Sequence, residues 1–218
     1  MNYIDICPPA VVQAIEAADF RSATSAGLIG WVEMQADRAC ALATIEAVAG
    51  RLTTESDLTV VDLFCNAVAT YAEMLDAEQK AIIRAAFRRL PYNPAISFNY
   101  FMALRLAGID VRSDLRGRVA VDWSFASPRR DAQTWDHYLY LASLNEPGAW
   151  EALADKIAAT TSGNDVALLL ESLAELPNPE VDEIIGRYVT DKRTADGVEG
   201  PAMSIAKNAE LLLEMRKM

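Results

Sequence analysis

Apolar residues along this 218-residue chain recur at intervals of three and four almost throughout, and no stretch shows the strict alternation of a half-buried strand. From Asp57 one stripe runs through Leu58, Val61, Phe64, Cys65, Val68, Ala72 and Leu75, which predicts a helix. Asp76-Ala77-Glu78-Gln79 then supplies an N-cap carboxylate with a glutamine three positions on, and a second stripe follows at Ile82, Ile83, Ala86, Phe87 and Leu90. These two helices make one hairpin. Pro91 and Pro94 close it, because proline cannot donate to the helical ladder and disfavours helix in the residue before it.

The same pattern returns along the chain. Asn93-Pro94 opens a second hairpin, whose first helix carries Ile96, Phe98, Tyr100, Phe101 and Leu104 and ends near Gly108. Its second helix is expected from about Asp110 through Leu115, Val119 and Trp123, weakened by Gly117. A third hairpin holds Trp135, Tyr138, Leu139 and Ala142, turns at Asn145-Glu146-Pro147-Gly148 and returns with Trp150, Leu153 and Ile157. The fourth pairs Val166, Leu169, Leu170 and Leu173 with Val181, Ile184, Ile185 and Tyr188, and a last helix after Gly200-Pro201 carries Leu212, Leu213 and Met215. Hairpin starts at Asp57, Asn93, Asp131, Asn164 and Gly197 are 36, 38, 33 and 33 residues apart. A period of that size signals repeats, in which each short hairpin buries its apolar stripe against its neighbours. Residues 1–56 fit less regularly, with one helix after Pro8-Pro9 and a long or broken apolar stretch from Ser25 to Leu52, and are expected to form a helical cap.

The joint Ala174-Glu175-Leu176-Pro177-Asn178-Pro179-Glu180-Val181, with Arg187 in the following helix, resembles the inter-helix turn of HEAT-like and armadillo-like α-solenoid repeats. Ser143-Leu144-Asn145-Glu146-Pro147 and Glu73-Met74-Leu75-Asp76-Ala77-Glu78 are looser versions. Those families usually place aspartate where this chain has Asn178. The resemblance covers residues 57–218 and implies an all-α chain, a right-handed α-solenoid of stacked antiparallel hairpins continuous with the cap as one domain. An irregular helical bundle is the alternative arrangement of the same helices.

Composition narrows the chemistry. At 52% hydrophobic residues the chain can bury a continuous core, yet no apolar window of about 20 residues could span a bilayer. Met1-Asn2-Tyr3-Ile4-Asp5 lacks a basic, apolar leader, so a cytoplasmic location is the expectation. Cys7, Cys40 and Cys65 lie far apart and are expected as reduced thiols, with Cys65 in the core. A single histidine and no CxxC leave no ligand set for a metal, and no cofactor is expected. His137, between Asp136 and Tyr138, lies off the apolar stripe and is expected to face solvent or pack between helices. None of the GxSxG, GxxxxGK[ST], HExxH or GxGxxG signatures is present.

Charge adds one asymmetry to a chain of net charge -11. Between Arg84 and Arg130 stand nine arginines, no lysine and three aspartates, a segment of +6 within a remainder of -17. Arg84 and Arg88 are four apart on the face opposite Ile83, Phe87 and Leu90, and Arg112 and Arg116 repeat that spacing. With Trp123 and Arg130, and Tyr92 nearby, they are the candidate binding residues, since guanidinium groups bind carboxylate or phosphate through a planar fork. The competing reading pairs them with acids of adjoining repeats. The function expected is a non-enzymatic protein-binding scaffold or adaptor, in a sharper form an inhibitory or immunity-type partner of a basic protein. The alternative is nucleic-acid binding of the kind the resemblance implies for HEAT-like DNA glycosylases, through Asp122-Trp123, Trp135-Asp136 and the arginine segment. An acidic chain disfavours it, because phosphate binding needs a sustained basic face.

Overall fold

The computed structural model describes residues 3–33, 37–90, 93–115, 132–195 and 203–218. The chain divides into two compact units, Met1–Ala120 and Val121–Met218. Both are built almost wholly of helix among the described residues, so the chain is all-α in class, and none of these helices is long and apolar enough to cross a membrane.

The first unit contains α1 (Tyr3–Ile6), α2 (Pro9–Ala17), α3 (Ala26–Glu33), α4 (Arg38–Arg51), α5 (Leu58–Thr70), α6 (Ala77–Arg89), α7 (Ser97–Leu106) and α8 (Arg112–Leu115). Aspartates start three of them by accepting from amides that have no partner inside the helix: Asp37 for α4, Asp57 for α5 and Asp76 for α6. At α6 the expected capping box is complete. The Gln79 amide donates to Asp76 Oδ1 at 2.8 Å, and the Asp76 amide donates to Gln79 Oε1 at 3.2 Å.

Packing in this unit mainly joins alternate helices. α5 lies mainly against α7 and α3, and α4 mainly against α6 and α1, while α2 touches both α3 and α4 and α4 also meets α3 and α5. Phe87 joins the series: its ring centroid is 6.1 Å from Phe64 of α5 and 4.9 Å, edge to face, from Tyr100 of α7. The Tyr100 hydroxyl, fully buried, donates to the Phe87 carbonyl. Phe98, counted with the stripe of α7 from sequence, is instead half exposed, because Ile96, Tyr100, Phe101 and Leu104 already fill the buried face. The helix expected from Asp110 to Trp123 is described only as α8, and its remainder lies outside the described residues.

The second unit contains α9 (Ala132–Ser143), α10 (Ala149–Ala159), α11 (Gly163–Ala174), α12 (Glu180–Gly186) and α13 (Ile205–Met215). The turn between α9 and α10 reverses through two left-handed residues, Asn145 and Gly148, the types that adopt this conformation at least cost. Strands β1 (Thr194–Ala195) and β2 (Met203–Ser204) pair antiparallel, a feature the sequence reading lacked because two residues are too few for alternation to register. β1 lies over the start of α11, where a Cβ at Gly163 would run into the Thr194 carbonyl. On α13 the buried residues are Ile205 and Ala209, and Met215, expected on the apolar stripe, is 62% exposed.

Cys7 and Cys40 form a disulfide, with Cα atoms 4.9 Å apart. That corrects the expectation of three reduced thiols: α1 folds back onto α4 and brings together two cysteines that the sequence separates by 33 residues. The bond sits in a cluster with Val11 and Ile15, covered by Leu28 and Trp31. Cys65 is unbonded and buried as expected, and burial pushes its thiol pKa well above the usual value.

Among the described residues most side-chain links between distant segments fall in a narrow range of sequence separation, with Arg88 to Asp114, 26 residues apart, outside it. In the first unit Arg51 reaches Ile15 and Ala18, Tyr71 reaches Val32, Arg89 reaches Ala49 and Leu52, and Asn99 reaches Asp62. In the second Trp135 reaches Ser172, Asn178 reaches Asn145, Arg193 reaches Thr160, Asn208 reaches Glu171, and Arg216 reaches the segment from Ala174 to Asp182. These lie 33 to 42 residues apart. That range overlaps the 33 to 38 residues between the hairpin starts read from the sequence and extends beyond it.

Candidate functional site

The predicted arginine surface is partly assembled on α6 and α8. Arg84 and Arg88 both lie on the exposed side of α6, as their spacing implied. Arg88 Nε donates to Asp114 Oδ2 at 2.9 Å across to α8. Arg112 binds Asp110 through two nitrogens, Nε to Oδ1 at 3.1 Å and Nη2 to Oδ2 at 2.8 Å, while its amide also donates to Oδ1. These hydrogen bonds from Arg112 hold the Asp110 carboxyl below its usual pKa, with Arg84 adding a favourable field. The structure thus gathers Arg84, Arg88 and Arg112 around two aspartates, and the pairing with acids is realised for Arg88 and Arg112. Arg116, Trp123, Arg130 and Tyr92 lie outside the described residues.

A groove that sequence reasoning missed runs between α2 and α3, with a volume of about 580 Å³. Ala10, Ala14 and Ala17 line it from α2, and Gly27, Leu28 and Trp31 from α3. Small residues explain why it stays open, since Ala10, Ala14, Ala17 and Gly27 are exposed and nothing lies within 4 Å of where a Cβ on Gly27 would stand. Its end is shaped by the turn after α2. There Ser25 Oγ donates to the Asp19 carbonyl at 2.9 Å, and the Arg21 amide donates to Asp19 Oδ1 at 3.1 Å. Among the lining residues Asp19 alone is ionisable. The signal available in the sequence was the i, i+4, i+7 alanine spacing beside the Val11 and Ile15 stripe, which widens the apolar face of α2.

The second unit holds a set of buried polar side chains on the α9–α10 hairpin. Asp136, His137, Lys156 and Thr160 are each at most 7% exposed. His137 is therefore a helix-packing residue, because α9 is buried on every face from Trp135 to Ala142. Its ring lies parallel to that of Tyr138, with centroids 6.3 Å apart. Burial lowers its pKa from 6.5 to about 4, so the imidazole is neutral at physiological pH. Lys156 was legible in principle, since it stands three residues after Leu153 and beside Ile157 on the buried stripe.

Among the described residues no group of three or more His, Cys, Asp or Glu side chains is placed to hold a metal ion. No family model, no curated protein and no solved structure matches this chain.

Proposed function

We propose that the chain is a non-enzymatic binding module for a protein or peptide partner, built from HEAT-like helical hairpins stacked side by side within each unit. The observation that carries this reading is the recurrence of long-range side-chain links at 33 to 42 residues in both units. In a stack of repeats each hairpin bonds only to its neighbour one period away, and that is the pattern such spacing describes. The packing of α5 between α3 and α7, and of α4 against α6, supports it in the first unit. An array of this kind presents exposed helix faces to a partner, and the net charge of -11 attracts a basic one, as an inhibitory or immunity-type protein would require.

The nucleic-acid alternative draws less support, because Arg88 and Arg112 spend their charge on Asp114 and Asp110. The disulfide favours an oxidising compartment over the cytoplasmic setting expected from composition, since such bonds seldom persist among reduced cytosolic thiols.

Affinity capture from native lysate with mass spectrometry tests the reading, comparing the natural chain with Arg84→Glu/Arg88→Glu. The expected result is one protein retained above background and released by moderate salt, with loss in the variant if the arginine face contributes. Retention of nucleic acid in place of protein, or of nothing above an inert control, would overturn it.

A further inference from the structure

We propose that the Cys7–Cys40 bond is a redox latch on the N-terminal segment 3–17, which leaves its seat on α3 and α4 when a dithiol reduces the bond. The device stands apart from the binding-module reading, since it concerns how this segment is held and not what the chain binds.

Apart from the bond, the segment is lightly held. α1 has no buried residue and Ile4 is 51% exposed, so α1 adds little apolar burial of its own. α2 buries only Val11 and Ile15. Between α2 and α3 lies the groove of about 580 Å³, where Ala10, Ala14 and Ala17 are exposed. A nine-residue helix seated by two buried side chains is too short to hold itself and opens locally while the rest of the unit stays folded.

The chain that follows is anchored independently. Phe20 is buried, with the Arg51 guanidinium carbon 4.9 Å from its ring centroid, and its carbonyl accepts from the Asp57 amide at 2.8 Å. Release therefore pivots just before Phe20, at Ala18 and Asp19, and gives up the bond from Arg51 to the Ile15 carbonyl. Beneath the segment are Cys40 and Thr44, both fully buried, with the Thr44 hydroxyl 3.7 Å from Cys7 Sγ. Leu28, Trp31 and Ala47 pack on the same cluster, and release bares all of them.

Reduction begins at Cys7, which is 8% exposed where Cys40 is wholly buried. A thiolate of the dithiol attacks the Cys7 sulfur, the S–S bond breaks, and Cys40 leaves as a thiolate and takes up a proton. The second thiol of the dithiol then displaces Cys7, so that the protein gains two thiols and the dithiol ends as its own disulfide. Closed in an oxidising setting, the segment opens in a reducing one.

Cys65, unbonded and wholly buried on α5, is a built-in control for global unfolding. The full chain is held with and without millimolar dithiothreitol, pulsed with N-ethylmaleimide in excess over the reductant, and the label on each cysteine is read by mass spectrometry. In the reduced chain Cys40 is expected to react at least about tenfold faster than Cys65, with about tenfold faster hydrogen exchange over residues 3–17 and none of that change in α5 to α7. Cys7→Ser removes the bond without reductant and should give the same labelling, its protected Cys65 showing that it folds. Cys40 as protected as Cys65 in either chain would overturn the proposal, since the segment would then stay seated without the bond. Equal and rapid labelling of Cys40 and Cys65 would overturn it by showing that the unit unfolds as a whole. So would a bond that dithiothreitol reduces only in urea.

Discussion

Four arginine side chains in this protein clamp the ends of helices 33 to 42 residues away in sequence. Arg51 holds the end of α2, Arg89 the end of α4 at Ala49 and Leu52, Arg193 the carbonyl of Thr160 just after α10, and Arg216 the carbonyls of Ala174, Leu176 and Asn178 after α11. A cation there satisfies carbonyls that the helix leaves without partners and meets the negative end of its dipole. One of these clamps, Arg193, is itself set by an aspartate two residues earlier, and Arg112, which clamps no helix end, is held in the same way. Asp110-Val111-Arg112 and Asp191-Lys192-Arg193 share a carboxylate that accepts from both the arginine amide and its guanidinium. Those hydrogen bonds raise the pKa of Arg193 and lower that of Asp191. His137 shows the opposite case, a buried titratable group kept neutral. Because its pKa falls from 6.5 to about 4, the unfolded chain takes up a proton in that window and the folded chain does not. Stability is therefore complete above about pH 6.5 and declines by up to about 3 kcal/mol as pH falls towards 4. As the chain has one histidine, its imidazole resonances report directly, and they should titrate well below pH 5 in the folded state. A midpoint near 6.5 would contradict the burial.

At the scale of elements, the helices with long apolar stripes were legible because period and caps agreed. Asp57, Asp76 and the Asn93-Pro94 pair each mark a start, and the predicted bonds at Asp76 and Asn93 are made. The N-terminal segment was less legible, since α3 and α4 read as one long or broken apolar stretch in sequence, whereas the Asp37 cap starts α4 as a separate helix. The disulfide was not legible at all, as pairing needs Cα atoms within about 7 Å and sequence carries no such distance. It closes a loop of 33 residues, for which loop-closure entropy gives about 3–4 kcal/mol of stabilisation. Cys7→Ser/Cys40→Ser should lower the unfolding free energy by about that amount in urea melts, with Cys65 left in place. A variant with unchanged midpoint would mean that the bond contributes nothing. Of the candidate site, the outward pair on α6 was readable from its spacing, whereas its aspartate partners on and before α8 depended on how the hairpin folds back.

For the whole molecule, the proposed binding module requires hairpins that bond to their neighbours one period away and leave faces for a partner. Each unit carries its own set of these links, so loss of one clamp should be felt locally. A change spread through the whole chain would instead describe a single bundle with shared core contacts. Hydrogen exchange read by mass spectrometry on Arg89→Ala distinguishes the two. Hairpins stacked in this way should give about tenfold faster exchange at the last turn of α4 and the segment leading to α5, with α9 to α13 unchanged. Uniform acceleration across both units, or no change at the end of α4, would contradict that stacking.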